Sequence, residues 1–263
     1  MRTNHDIDYK IYGEELQFVE IELDPEETAI AESGAFMMMD NGVEMQTIFG
    51  DGSKQQTGGI LGKLLSAGKR LLVGESLFMT AFTNVGHGKK KVSFASPYTG
   101  KIIVFDLHLL GGKIIAQKDA FLCAAKGVSI GIEFQRRLGT GIFGGEGFIM
   151  QKLEGDGMAF AHAGGYVVEK NLQPGEILKV DTGCVVAYTA GIDFDIEMVK
   201  GIKNFMFGGE GLFLARLQGP GKVWLQSLPI SRLAGRIMQY GTYNRKEEGS
   251  LLGGIGNLLD GRE

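Results

Sequence analysis

Short stretches in which apolar and polar residues alternate run through most of the chain. Residues 17–23 and 194–199 show this period of two clearly and residues 113–117 show it in part, and the pattern is typical of strands with one buried face. Pairs such as Asn41-Gly42 and Pro174-Gly175 separate these stretches, as expected where tight turns need residues with unusual backbone angles. We therefore predict an all-β protein built from many short strands.

Two apolar segments depart from this alternation. In residues 60–73 the apolar side chains recur at near-helical spacing between basic residues, which predicts a short amphipathic helix. The second segment, residues 251–259, is apolar but contains three glycines, and we interpret it as a frayed helix or a docking arm. The apolar positions of the predicted helix form a candidate contact surface: Ile60, Leu61, Leu64, Leu65, Leu71 and Leu72.

Internal repetition is the most informative feature of the sequence. Residues 143–157 and 207–221 align without a gap and are identical at eight of fifteen positions. A weaker copy of the Gly-Glu start of this element lies at 74–78, and a second element also occurs three times. Repeated units of this size usually stack, because each buries a face that the others leave open. We predict a pseudo-repeated double-stranded β-helix or β-prism, whose closure removes exposed strand edges.

The repeats set the expected domain organisation. We predict one domain over residues 1–263, with three β repeats at roughly 9–57, 74–138 and 139–243. The helical insert occupies 58–73 and the apolar tail 244–263. Glycine accounts for 42 of the 263 residues, and much of this surplus falls at the repeated turns, which indicates duplication of one glycine-dependent unit.

Charge, cysteine content and hydropathy indicate a cytoplasmic protein and argue against nucleic-acid binding. The formal net charge is −4, whereas duplex-binding proteins usually carry a basic surplus, and the lysine run 89–91 is interpreted as a solvated turn. Cys123 and Cys184 lie in apolar segments, which favours buried thiols in a reducing compartment. The first residues are polar, and no apolar run approaches the roughly 18 residues of a membrane span.

The ordered Gly-Glu units at 74–78, 144–148 and 208–212, together with the insert at 58–73, resemble the altered-inheritance-of-mitochondria family. The resemblance runs from about Tyr9 to Tyr243 and is to the bacterial branch, long described as a domain of unknown function. It implies a fold like that of the tryptophan RNA-binding attenuation protein (TRAP-like), a relative of the double-stranded β-helix. The mitochondrial branch of the family is associated with inner-membrane organisation, and no catalytic residues are established for the family.

Three glutamates at equivalent repeat positions are the candidate site: Glu75, Glu146 and Glu210. If a pseudo-threefold axis relates the repeats, these carboxylates would converge, which would raise their pKa values or attract a cation. The alternative is that each pairs with a nearby arginine or with backbone N–H groups of a turn. No histidine pair has metal-ligand spacing and no serine or cysteine lies in a nucleophile elbow, so we expect no catalytic residues, no cofactor and no metal.

Two further features have a structural and a functional interpretation. His162 lies in an apolar segment and corresponds to Gln226 at an offset of 64, which favours a hydrogen-bonding position over a metal ligand. The run Met37-Met38-Met39 favours strand core over an adaptable binding surface.

These observations favour a non-enzymatic binding or scaffold protein that forms a homo-oligomer, with its ligand undefined. One alternative is a peripheral membrane-associated organiser that uses the 58–73 helix and the tail, since their apolar faces and Lys63, Lys69 and Arg70 suit anionic lipid. The other is recognition of a small molecule or nucleic acid, which rests on fold analogy alone.

Overall fold

The computed structural model describes residues 3–49, 78–136, 147–199 and 212–238 and residue 240. These residues form nineteen β-strands, three single-turn 3-10 helices and one short α-helix over 230–238, so the predicted all-β class is confirmed. The predicted insert at 58–73 and the tail at 244–263 lie outside the described residues. Within the described ranges, no helix has the length and apolar character needed to cross a membrane.

The same order of elements occurs three times along the described chain, in what we name strand groups one, two and three. After β1 (Asp8–Tyr12), group one is β2 (Phe18–Leu23), β3 (Thr28–Ala31), η1 (Ser33–Ala35), β4 (Phe36–Met39), β5 (Val43–Phe49), β6 (Phe78–Asn84) and β7 (Lys90–Ala95). Group two is β8 (Gly100–Asp106), β9 (Lys113–Gln117), η2 (Lys118–Ala120), β10 (Phe121–Ala125), β11 (Ser129–Arg136), β12 (Phe148–Glu154) and β13 (Met158–Gly164). Group three is β14 (Val167–Leu172), β15 (Ile177–Asp181), η3 (Thr182–Cys184), β16 (Val185–Thr189), β17 (Asp193–Val199), β18 (Leu212–Gln218) and β19 (Gly221–Gln226).

The three strands predicted from alternation are confirmed as β2, β9 and β17. In β2 the side chains of Val19, Ile21 and Leu23 are buried, and the residues between them are only partly buried. Turns separate the strands where the sequence predicts them: Gly42 and Gly175 adopt φ values of 98° and 78°, which favour glycine because it has no Cβ atom.

The strands pair into four antiparallel sheets. Sheet A has the order β1-β2-β7-β4, sheet B β5-β6-β3-β10-β13-β8, sheet C β11-β12-β9-β16-β19-β14, and sheet D β15-β18-β17. Sheet B therefore joins strands of groups one and two, and sheet C joins strands of groups two and three. Sheet A contains β1 and strands of group one, and sheet D contains strands of group three.

Three apolar cores hold the sheets together in the order A, B, C, D. Phe94 of sheet A packs edge-on against Phe82 of sheet B, and their ring centroids lie 5.1 Å apart. Phe105 of sheet B contacts Trp224 of sheet C at 5.0 Å in the same edge-on manner. Tyr188 of sheet C stacks on Phe194 of sheet D at 5.2 Å. Sheets B and C are thus packed on both faces, and sheets A and D pack on one neighbour each.

The lysine run 89–91 lies at the entry to β7 and contacts carboxylates on sheet A. Lys89 Nζ lies 2.7 Å from Glu22 and 3.2 Å from Asp8, and Lys91 Nζ lies 2.7 Å from Glu20. Exposed pairs of this kind contribute little to stability. Lys89 lies in the connection before β7, whereas Lys90 and Lys91 lie within that strand, so the interpretation of the whole run as a turn is wrong.

Candidate functional site

Sheets B and C each contain one antiparallel strand pair that connects two strand groups, and we name such a pair a junction. In sheet B the junction is β3 with β10, and Ala31 lies opposite Cys123. In sheet C it is β9 with β16, and Ala116 lies opposite Ala187. The backbone hydrogen bonds of these two pairs hold neighbouring strand groups together.

A shared irregularity identifies the strand of group one that corresponds to β10 and β16. In each group the strand that follows the 3-10 helix shifts register against the last strand of the same group, which is β7, β13 or β19. The shift lies at the same distance from the helix in all three groups. A bulge changes which residues face each side of a sheet, so its position is a specific structural marker. The shift falls between Phe36 and Met38 in β4, between Phe121 and Cys123 in β10, and between Val185 and Ala187 in β16.

The strands β4 and β15 correspond to junction strands, but each lies at the edge of its sheet. Among the described residues, β4 pairs only with β7, and β15 pairs only with β18. An edge strand presents a row of unpaired N–H and C=O groups that can pair with another strand. These two edges form the candidate site of the protein.

Side-chain exposure separates the open edges from the two junctions. Every residue of β10 is 4% exposed or less, whereas Met37, Met38 and Met39 of β4 are 47%, 45% and 39% exposed. Likewise β3 is buried throughout, whereas Ile177 of β15 is 49% exposed. The prediction that the methionine run lies in a strand is therefore confirmed. The prediction that it lies in the core is wrong, because no described strand covers the open side of β4.

Charged groups at the two edges have partners on their own sheets. Lys179 Nζ of β15 lies 2.6 Å from Glu197, and Asp181 accepts a hydrogen bond from the backbone N–H of Gly183 at 2.8 Å. Beside β4, the Asp40 carboxylate accepts a hydrogen bond from the backbone N–H of Lys91 at 2.9 Å. The site therefore offers backbone hydrogen-bonding groups and apolar side chains, which suit strand pairing.

The site residues predicted from sequence fall outside the described residues. Glu75, Glu146 and Glu210 are outside the described residues, so their convergence stays a prediction. The same holds for the predicted contact surface, Ile60, Leu61, Leu64, Leu65, Leu71 and Leu72, and for the membrane contact that depends on it. Within the part of the chain that the structure describes, no group of three or more histidine, cysteine, aspartate or glutamate residues is arranged to hold a metal ion.

The position shared by His162 and Gln226 is buried in both strand groups. Gln226 accepts a hydrogen bond from the backbone N–H of Gly164 at 2.8 Å and donates one to the carbonyl of Gly183 at 2.9 Å, as expected for a hydrogen-bonding position. Neither ring nitrogen of His162 has a partner of good geometry among the described residues, although Tyr98 lies edge-on at 4.4 Å. Burial lowers the pKa of His162 to about 4, and the nearby Tyr98 backbone opposes this weakly.

Both cysteines are free thiols. Cys123 is fully buried in the junction of sheet B, and burial raises the pKa of its thiol. Cys184 is half-buried, and its pKa is raised by burial first and by the charge of Asp181 second. Raised pKa values keep both in the less reactive thiol form, which agrees with a structural role.

Sequence reasoning missed β15 as a candidate edge strand. The signal lay in one position of the repeat: Lys179, like Ile30 in β3 and Ile115 in β9, lies three residues before the start of the following 3-10 helix. A lysine in this place is typical of a strand at a sheet edge.

Comparisons with known proteins agree with this architecture. An uncharacterized protein of Streptococcus pyogenes serotype M6 is 29% identical over 226 residues, which cover 84% of this chain and 86% of that protein. A Streptococcus pyogenes protein solved by X-ray crystallography matches with a TM-score of 0.68 at 23% identity, covering 89% of this chain and 99% of that chain, which shows a shared fold. The family model described as mitochondrial biogenesis AIM24 matches residues 9–228, a range that contains both edge strands and all four sheets except the first residue of β1. The chain therefore belongs to the AIM24 family.

Proposed function

We propose that the protein is a non-enzymatic binding and scaffold protein that assembles as a homo-oligomer through its open sheet edges. The observation that carries the proposal is the exposure of Met37, Met38 and Met39 at a strand whose counterparts β10 and β16 are buried in junctions. Folded proteins usually protect an edge strand with charge, proline or a covering element. The four residues of β4 are Phe-Met-Met-Met and include neither a charged residue nor a proline.

The proposal treats the three strand groups as copies of one unit. The recurring order of elements and the shared bulge after each 3-10 helix support this interpretation. On this interpretation the chain forms two junctions internally and presents the strands of a third at its two ends. The TRAP-like or β-prism form of the repeat, and the boundaries predicted for it, stay predictions.

The chemistry of β4 suits reversible contact with another protein surface. Methionine side chains are flexible and polarizable, so they adapt to an imperfect partner surface better than branched side chains do. Covering a fully exposed methionine contributes about 1.5–3 kcal/mol, and these side chains are already about half covered, so each adds roughly half of that value. Backbone pairing along the edge supplies the specificity that apolar contact alone lacks.

Native mass spectrometry at micromolar concentration should show multiples of the 28.4 kDa chain. The double substitution Met38→Lys and Met39→Lys should shift the population to monomer, because charges on a strand edge oppose pairing. Both side chains are exposed, so the folded chain should keep its circular dichroism spectrum. Leu109→Lys is the matched control, since Leu109 is 78% exposed in a turn outside both edges and should leave assembly unchanged. A monomeric parent protein would refute the proposal, and an unchanged oligomer in the double variant would place the contact elsewhere.

A further inference from the structure

We propose that assembly is head to tail, with β4 of one copy paired antiparallel with β15 of the next. This inference rests on the proposed self-association and adds the two strands, their direction and their register. It follows from three observations on the described chain: two junctions with one common rule, two open edges that correspond to junction strands, and apolar exposure at those edges.

The two junctions inside the chain obey the same register rule. The residue two positions before the start of one 3-10 helix lies opposite the residue five positions after the start of the next. Ala31 and Cys123 satisfy the rule with η1 and η2, and Ala116 and Ala187 satisfy it with η2 and η3. The agreement of both pairs shows that the register is a property of the strand group, because a slip of one residue would turn every side chain to the other face.

The rule fixes which residues of the open edges meet. Val180 lies two positions before η3 and Met38 lies five positions after the start of η1, so Val180 of one copy should lie opposite Met38 of the next. One step along the antiparallel pair, Lys179 lies opposite Met39. The resulting sheet would read β17-β18-β15 from one copy and β4-β7-β2-β1 from the other, which extends the six-strand pattern of sheets B and C by one strand.

The side chains at these positions are compatible with the pairing. Val180 packs against the core between sheets C and D, and its partner Met38 would extend that apolar surface across the new junction. Lys179 is the polar member, and its ammonium group is already 2.6 Å from Glu197. Pairing can therefore cover its aliphatic stem against Met39 without burying an unpaired charge.

Because β4 and β15 are different strands, the contact is heterologous. Each copy offers one strand of each kind and leaves one free edge at either end of a growing assembly. Repetition of such a contact gives a closed ring or an open chain of copies, in contrast to the self-complementary interface of a twofold dimer. Direction is therefore the property that an experiment has to test.

Cysteine cross-linking between differently tagged copies tests the direction and the register together. Directly opposed residues in antiparallel strands lie about 4.5–5.5 Å apart at Cα, which a disulfide bridges. We would co-express full chains carrying Met38→Cys and Val180→Cys, both in a Cys184→Ser background, and oxidise the purified mixture mildly. The expected main product is a mixed dimer of about twice 28.4 kDa that contains both tags and disappears on reduction.

A second pair and a control guard against misfolding and random collision. Met39→Cys with Lys179→Cys should give the same mixed product, and both of these residues are exposed, so the substitutions disturb little packing. Met38→Cys with Leu109→Cys should not cross-link, although both side chains are exposed.

Each outcome of this experiment has one meaning. Mixed dimers from either pair would support head-to-tail pairing. Oligomers in native mass spectra without mixed dimers from either pair would overturn the head-to-tail pairing and leave the proposed self-association standing. Dimers linked mainly between the same residue of two copies would also overturn it. So would a cross-link within a single chain that carries both Met38→Cys and Val180→Cys. A protein that is only monomeric would refute the proposed function itself.

Discussion

Replacing Gly100 by alanine should destabilise the folded protein by about 3 kcal/mol, the upper part of the usual range for overpacking a core. Gly100 begins β8 opposite Gly164 of β13, and it is buried. A Cβ atom at Gly100 would overlap the backbone carbonyl oxygen of Ala163 and lie 2.7 Å from His162 Nε2. Ala163 is paired with Lys101 in the ladder between β13 and β8, so its carbonyl group cannot move away without disturbing the sheet.

Thermal unfolding followed by calorimetry measures this effect, and we expect the melting temperature to fall by about 6–12 °C, from about 2–4 °C per kcal/mol in a protein of this size. Gly235→Ala is the matched control. Gly235 lies in the helix over 230–238, and a Cβ atom there would meet no heavy atom within 4 Å. Alanine favours the helix over glycine by about 1 kcal/mol, so this variant should be as stable as the parent or more stable. Equal melting temperatures for Gly100→Ala and the parent would show that the strands can separate at this point.

The positions of strands and turns were predictable because they depend on local chemistry. Alternation in residues 194–199 reflects the two faces of β17, whereas β9, at residues 113–117, is buried on both faces and alternates only in part. The turn at Pro174-Gly175 depends on the backbone freedom of one residue, which sequence also reveals. None of these features requires knowledge of which strands are neighbours.

Pairing between strands was beyond sequence reasoning, because it depends on contacts that are distant in the chain. Met37-Met38-Met39 and Phe121-Leu122-Cys123 are both apolar strand segments, and their hydrophobic pattern does not tell which of them receives a second neighbour. The structure differs at this point: β10 lies between β3 and β13, whereas β4 has β7 alone among the described strands. The burial expected for the methionines was therefore wrong for a tertiary reason.

Once the strand pairing is known, the residues at corresponding positions nevertheless distinguish the open edges from the junctions. The residue pair at the matching place in the two junctions is Ala31 with Cys123 and Ala116 with Ala187, small residues throughout. The third pair would combine Val180 with Met38, which are larger. Close-packed junctions inside the chain restrict side-chain volume, whereas an edge that meets its partner only after folding tolerates larger and more flexible residues. Size at this position is thus a sequence signal that agrees with the proposed interface.

Between pH 7 and pH 5 the parent protein should lose about 2 kcal/mol more stability than the His162→Gln variant. Burial lowers the pKa of His162 from 6.5 to about 4 in the folded chain, and the unfolded chain keeps the ordinary value. Below pH 6.5 the unfolded state therefore binds a proton that the folded state does not bind, and the free energy of unfolding falls as the pH falls towards 4. Each pH unit within this window is equivalent to about 1.4 kcal/mol, so the step from pH 6.5 to pH 5 gives about 2 kcal/mol.

Urea unfolding of both proteins at pH 7 and pH 5, at one protein concentration, measures this difference. Glutamine is the appropriate substitute because Gln226 occupies the corresponding buried position in strand group three. The variant should keep part of its acid sensitivity, since burial and then the charge of Lys126 also lower the pKa of His5. His108→Gln is the matched control, because His108 is exposed. This variant should lose as much stability between pH 7 and pH 5 as the parent does. The same loss of stability in His162→Gln and the parent would mean that the imidazole is protonated as readily in the folded chain as in the unfolded one. The acid response would then have to come from other groups, and the buried surroundings of the imidazole, which include Tyr98 and Gly100, would have to admit water.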